Sequence, residues 1–210
     1  NSKIFDGAKI LDRILFSKSE GNFFDVFEKL NSKVSISIDT IYITSEDFLS
    51  SFKADIIVNK NEIKDLILSS QFSNKEKLKL SIKTNQNNEK ITALFAGNAK
   101  PLIKKYDFVK GFEGGYLKFD SIEKDKVENS NLKIFDFKLR EVPALTKLLT
   151  LASLQGIADL LSGEGIRFNE FEMIFNNNGR LMTIEEIYSL GPSISILMDG
   201  YIQKDDLVSL

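Results

Sequence analysis

From residue 33 onward, apolar side chains return at every second position, and this period constrains the fold more than any other feature of the chain. Val34, Ile36 and Ile38 alternate with Ser35 and Ser37, and Phe52, Ala54, Ile56 and Val58 repeat the pattern ahead of a turn at Asn59-Lys60-Asn61. Leu66, Leu68 and Phe72 mark the next run. Leu78, Leu80 and Ile82 mark the one after, with Lys77, Lys79, Ser81 and Lys83 between and beside them. Successive side chains of a strand point to opposite faces, so a period of two is a strand with one buried face.

The pattern continues in shorter runs. A polar turn at Asn85 to Glu89 precedes a strand from Ile91 to Gly97, and two further strands are predicted at Gly115 to Ile122 and Leu132 to Leu139. Phe171, Met173 and Phe175 alternate, Asn177-Asn178-Gly179 reads as a turn, and Leu181 to Ile187 completes a hairpin. Ile194, Ile196 and Met198 make the last clear strand. Runs spaced roughly 10–15 residues apart describe an antiparallel meander. An apolar face backed by a Ser/Lys/Thr face predicts a twisted sheet covered on one side and wet on the other. The fold class is mainly β with short helices.

Three helical stretches accompany the strands. Phe23, Phe24, Phe27 and Leu30 recur at helical spacing, so residues 1–32 read as a helical lead-in to a β-rich portion over 33–210. A short helix is predicted near 98–107, with Asn98 as N-cap, Pro101 in the first turn, and Leu102, Ile103 and Tyr106 on one face. The stretch near 143–161 would be about 28 Å long as one helix. Its apolar face changes side between Ala152 and Leu154, and Ser153 to Gly156 offers a cap and a weak point, so a break is expected there. Gly163-Glu164-Gly165 reads as the helix stop.

Composition removes much of the usual catalytic chemistry. The chain has no Cys, no His and no Trp. It therefore offers no Ser-His-Asp or Cys-His nucleophile, no imidazole or thiolate metal ligand and no disulfide. A net charge of −2 and a pI near 5.4 do not give the basic footprint of a nucleic-acid binder. Lys outnumbers Arg 24 to 4, a bias that reads as an AT-rich coding sequence. Glu185-Glu186 and Asp205-Asp206 are adjacent carboxylates that strand geometry would send to opposite faces. Asp120, Glu123, Asp125 and Glu128 lack the spacing of a calcium loop, and Gly111, Gly114 and Gly115 carry no Walker lysine. Neither catalytic residues nor a metal site nor a cofactor is expected. The chain starts at Asn1 and has no run of 18 or more apolar residues, so it is expected to be an excerpt of a longer protein.

The apolar face leaves two readings open. The helices close it as an ordinary core, or part of it stays open as a groove for an acyl chain or a protein partner. The candidate lining is Ile36, Ile38, Ile56, Val58, Leu80, Ile82, Leu117, Phe119, Ile194 and Ile196, plugged in part by Leu148, Leu149 and Leu154. Ser35, Ser37, Lys79, Lys83 and Ser195 fall on the other face.

The stretch Pro143-Ala144-Leu145-Thr146-Lys147-Leu148-Leu149-Thr150-Leu151-Ala152-Ser153-Leu154-Gln155-Gly156-Ile157-Ala158-Asp159-Leu160-Leu161 and its continuation to Ile166 resemble the C-terminal region of AsmA-like proteins of Gram-negative envelopes, close to the YhdP branch. Phe168 to Phe175, a turn, Leu181 to Ile184, Gly191-Pro192 and the Gly200-Tyr201-Ile202 strand continue the likeness, which covers residues 131–205. The resemblance implies repeating β-sheets curled into an apolar groove. It also implies an inner-membrane anchor outside this segment, a periplasmic location, and passage of phospholipid toward the outer membrane. Its partners would be phospholipid acyl chains and envelope proteins, with no nucleic acid and no enzymatic reaction. An interaction module that scaffolds outer-membrane assembly is the alternative, and a carboxylate-based hydrolase a third.

Overall fold

Alternation does produce strands. In a computed structural model, residues 5–6, 32–59, 62–105, 109–140, 165–203 and 208–209 are described, and they are mainly β with a single short helix among them. The chain divides into two compact units, Asn1–Ala96 and Gly97–Leu210.

In the first unit, β2 (Ser32–Tyr42), β3 (Phe48–Asn59), β4 (Glu62–Phe72), β5 (Lys77–Thr84) and β6 (Lys90–Ala96) pair in chain order, each antiparallel to the next. A two-residue strand β1 (Phe5–Asp6) lies parallel to Ile41–Tyr42 of β2. The reading of residues 1–32 as a helical lead-in is corrected at those two residues and at Ser32, which already belongs to β2. The helix expected at 23–30 lies outside the described residues.

Local chemistry sets the turns of this meander. At the β4–β5 corner Phe72 N–H donates to the Glu76 carbonyl at 2.8 Å and Lys75 takes φ +68°. At the β5–β6 corner Asn85 Oδ1 accepts the N–H groups of Asn87 and Glu89, both at 2.9 Å, with Asn88 at φ +57°. An Asn side chain that caps its own turn is what makes Asn85 to Glu89 a turn rather than more strand.

The second unit holds α1 (Lys100–Lys105), β7 (Phe112–Lys124), β8 (Val127–Leu139), β9 (Ile166–Asn177), β10 (Leu181–Leu190), β11 (Ser195–Gln203) and β12 (Val208–Ser209). These strands also pair antiparallel in chain order. Several are longer than alternation alone predicted. The N-cap of α1 is Ala99, not Asn98: the Ala99 carbonyl accepts Leu102 and Ile103 N–H at 3.1 and 3.0 Å. Ala99 N–H is held by the Gly115 carbonyl at 2.9 Å, which ties the helix to β7. Pro101, Leu102 and Ile103 are its buried side. The helix predicted over 98–107 is thus seen over Lys100–Lys105, and residues 106–108 and the whole 143–161 stretch lie outside the described residues.

Beside a slip between Ile57 and Val58, where Lys64 is an extra residue in β4, alternation is interrupted at three places, and each has a visible cause. In β3, Leu49 and Phe52 are both buried because the residues between them shift the phase, with Ser51 at φ +52°. β4 has no matching extra residue, so the β3–β4 register slips between Ser50 and Lys53. Ser70 spans the slip by donating its hydroxyl to the Ser50 carbonyl at 2.7 Å. In the second unit β7, β8 and β9 change phase together. Their buried side runs through Phe112, Leu139 and Ile166 and then resumes at Leu117, Ile134 and Phe171. Gly115, Asp136 and Asn169 stand opposite one another at the change and are skipped by the ladder. Gly114, Gly115 and Asp136 have φ of +71°, +74° and +53°. A Cβ on Gly115 would lie 3.0 Å from the Phe135 carbonyl oxygen, so both φ and space require glycine. The third interruption is in β10, where register shifts bracket Glu185 and Glu186 on both sides.

Gly165, expected to serve a helix stop, has φ +82° and sits where a Cβ would approach the Leu139 carbonyl oxygen at 2.7 Å. It is the point at which the chain closes onto the end of β8 to begin β9.

Candidate apolar site

Register converts the period-two positions into rows that run across the strands. In the first unit Val34, Ile56, Leu66, Ile82 and Thr92 form one row, and Ile36, Ala54, Leu68, Leu80 and Leu94 the next. Ile38 faces Phe52 across β2 and β3. Five candidate lining residues therefore lie in adjacent rows of one face, and Val58 extends β3 beyond them. Ile56, Val58, Leu80 and Ile82 are between 1% and 4% exposed, whereas Ile36 and Ile38 on β2 are half-buried. Ser35, Ser37, Lys79 and Lys83 are exposed on the opposite face.

The second unit repeats the arrangement with a more open face. Leu117, Ile134, Phe171, Ser189 and Ile196 make one row, and Phe119, Leu132, Met173, Ile187 and Met198 the neighbouring one. Leu117, Ile134 and Ile187 are buried. Phe119, Leu132, Phe171, Met173 and Ile196 are half-buried, and Met198 on β11 is exposed. Ile187 and Ser189 of β10 are buried, so the exposed apolar surface on this face is at Met198 of β11, beside half-buried Ile196.

Two placements differ from expectation. Ile194 is not part of the last strand: it precedes β11 in the β10–β11 connection, where its carbonyl accepts Gly191 N–H at 2.9 Å. Glu185 and Glu186 stand at the bulge in β10 and are both exposed, with Asn176 Nδ2 donating to Glu185 Oε1 at 3.1 Å. Leu148, Leu149, Leu154, Asp205 and Asp206 lie outside the described residues.

Sequence reasoning missed two components. An aromatic stack crosses three strands, Phe112–Phe137–Phe168, with 5.2 Å between successive ring centroids. No spacing within one strand could have revealed it, since it depends on which strands pair. The second component is a set of inward serines. Ser70, Ser121, Ser130 and Ser189 are buried on the apolar side, where alternation read serine as outward. Ser121 donates to Glu128 Oε1 at 2.7 Å and Ser189 to the Glu170 carbonyl at 3.2 Å, while Ser130 Oγ has no hydrogen-bond partner among the described residues.

The opposite face of the second unit carries a carboxylate with a displaced pKa, Glu172. Lys133 Nζ lies 2.9 Å from Glu172 Oε1, and Asn131 Nδ2 donates to the same oxygen at 2.7 Å. The Lys133 hydrogen bond holds the Glu172 carboxyl below its ordinary range, against the opposing effect of partial burial. This is a cross-strand pair that fixes β8 on β9. Beside it, Tyr116 stacks on Phe135 at 4.8 Å and Lys118 sits over that ring.

Among the described residues, no group of three or more His, Cys, Asp or Glu side chains is placed to hold a metal ion, and no helix is long and apolar enough to cross a membrane. Comparisons with protein-family models, curated proteins and solved structures returned no match.

Proposed function

We propose that the chain is a portion of an AsmA-like envelope protein that offers an apolar sheet face to phospholipid passing between inner and outer membranes, without catalysing a reaction. The supporting observation is the pair of apolar rows in the second unit, which lie side by side across β7 to β11 with several half-buried members and an exposed Met198 on β11. An acyl chain lying along such rows is shielded from water at roughly 0.8 kcal/mol per buried methylene. Transport then needs no covalent step: the lipid slides along the face with its acyl chains continuously covered and its headgroup in water. The repeating groove and the periplasmic setting belong to this proposal and rest on the resemblance of residues 131–205.

Organic extraction of the purified chain followed by mass spectrometry tests it, with co-purified phospholipid as the expected result. Ile196→Asp should reduce that lipid several-fold, because it places a carboxylate among acyl chains. Ser195→Asp, one residue away on the exposed side, should not. A folded Ile196→Asp protein with unchanged lipid content would overturn the reading.

The scaffold reading has one observation of its own. Among the described residues, only Tyr201 and Ile202 of β11 pair outward, with Ser209 and Val208. Among the described residues nothing pairs with the outer side of Ser195–Gly200, an edge that could receive another strand. Absence of extracted lipid together with retention of an envelope protein on immobilised chain would favour it.

A further inference from the structure

The outer face of the first unit is basic although the chain as a whole is net negative. Three rows cross it. Lys33, Ile57, Asp65, Lys83 and Ile91 form the first; Ser35, Asp55, Ile67, Ser81 and Ala93 the second; Ser37, Lys53, Ser69, Lys79 and Phe95 the third. These rows hold four lysines and two aspartates; Lys77 extends them along β5 beside Gln71, and the exposed Asp39 follows Ser37 along β2. Ser35 Oγ donates to Asp55 Oδ1 at 2.6 Å. A preference for Lys over Arg explains which cation is used, but not why these lysines gather on one side of one sheet.

Between the lysines stand isoleucines that alternation alone would have made polar. Ile67 is 53% exposed, Ile57 44% and Ile91 41%. Ile67 sits in the middle row with Lys53, Lys79 and Lys83 at its diagonals and Asp55 directly across from it, while Ile57, opposite Asp65, and Ile91 lie in the first row. Lysine ammonium groups on flexible stems ringing a small apolar patch match a layer in which phosphates lie beside the first methylenes of acyl chains. A nucleic acid would instead want stacking platforms or forked guanidinium groups at the centre.

We propose that this face docks on an anionic bilayer surface, with Ile57 and Ile67 entering the headgroup layer and Lys53, Lys77, Lys79 and Lys83 contacting lipid phosphates. The site is on the opposite side of the sheet from the apolar rows of the same unit, and the proposal stands whether or not those rows carry lipid.

The test is co-sedimentation of the 210-residue chain with vesicles of phosphatidylcholine doped with phosphatidylglycerol, and with vesicles of phosphatidylcholine alone. Binding to the anionic vesicles that weakens as salt rises is expected, with little binding to the neutral ones. Lys79→Gln and Lys83→Gln should each weaken it roughly five-fold. Ile67→Ser should weaken it as well without changing the salt dependence. These exposed positions leave the fold intact, which a circular-dichroism melt checks. Equal binding to both vesicle types, no binding to either, unaltered binding by the folded lysine variants, or tighter binding to single-stranded DNA than to anionic vesicles would each overturn the proposal.

Discussion

Individual side chains define where the backbone has no freedom. At Gly191 a Cβ would overlap the Arg167 carbonyl oxygen, so the end of β10 and the start of β9 approach each other only with hydrogen at that position. Gly191→Ala should destabilise the protein by about 1–3 kcal/mol, the usual cost of an overpacked contact, read as a lower urea midpoint. The Lys133–Glu172 pair makes a second prediction. The Glu172 carboxyl is held below its ordinary range, so the unfolded chain takes up its proton first as acid is added. Its contribution is therefore fully present above the ordinary carboxylate pKa and is lost as pH falls through the lowered folded value. Urea melts at neutral pH and at about pH 3 should show a smaller loss of stability for Glu172→Gln than for the parent chain. Serine was the residue type that sequence reading placed worst. Ser70 and Ser189 tolerate the apolar side because each hydroxyl reaches a backbone carbonyl on the neighbouring strand, a partner visible only once pairing is known.

At the scale of strands, alternation foretold most of what formed. The β3, β4 and β5 runs have their buried sides at Ala54–Ile56–Val58, Leu66–Leu68 and Leu78–Leu80–Ile82, as the period requires. What it could not foretell was where the phase changes, because a reading with a fixed period has no means of inserting one residue. The changes sit at Ser51, at the Glu185–Glu186 bulge and across Gly115, Asp136 and Asn169, and of these positions only the one in β7 is a glycine. Ser51 and Asp136 hold positive φ with a Cβ present, which costs roughly 1 kcal/mol each. Ser51→Gly and Asp136→Gly should therefore raise the melting temperature, modestly and independently. Ile82→Asp tests the buried side: at 4% exposure it should destabilise by several kcal/mol, far more than Ser81→Asp next to it. A melt that ranks the two the other way would mean that the faces are misassigned.

Within each of the two units, the described strands pair with their neighbours in the chain, so order is built locally. Stability in such arrays is graded from the middle of a sheet to its edges. Amide exchange followed by mass spectrometry should find β3, β4 and β5 the slowest strands of the first unit. In the second unit β8 and β9 should be slower than Ser195–Gly200 of β11. The phase change shared by β7, β8 and β9 has a consequence for how this gene could vary. Gly115, Asp136 and Asn169 are one extra letter in each of three lines that are otherwise in step. Deleting one of them alone would turn the remainder of its strand over, presenting Leu132 and Ile134, for example, to water. Deleting all three together would leave the lines aligned. Length at this point can thus be edited only as a set.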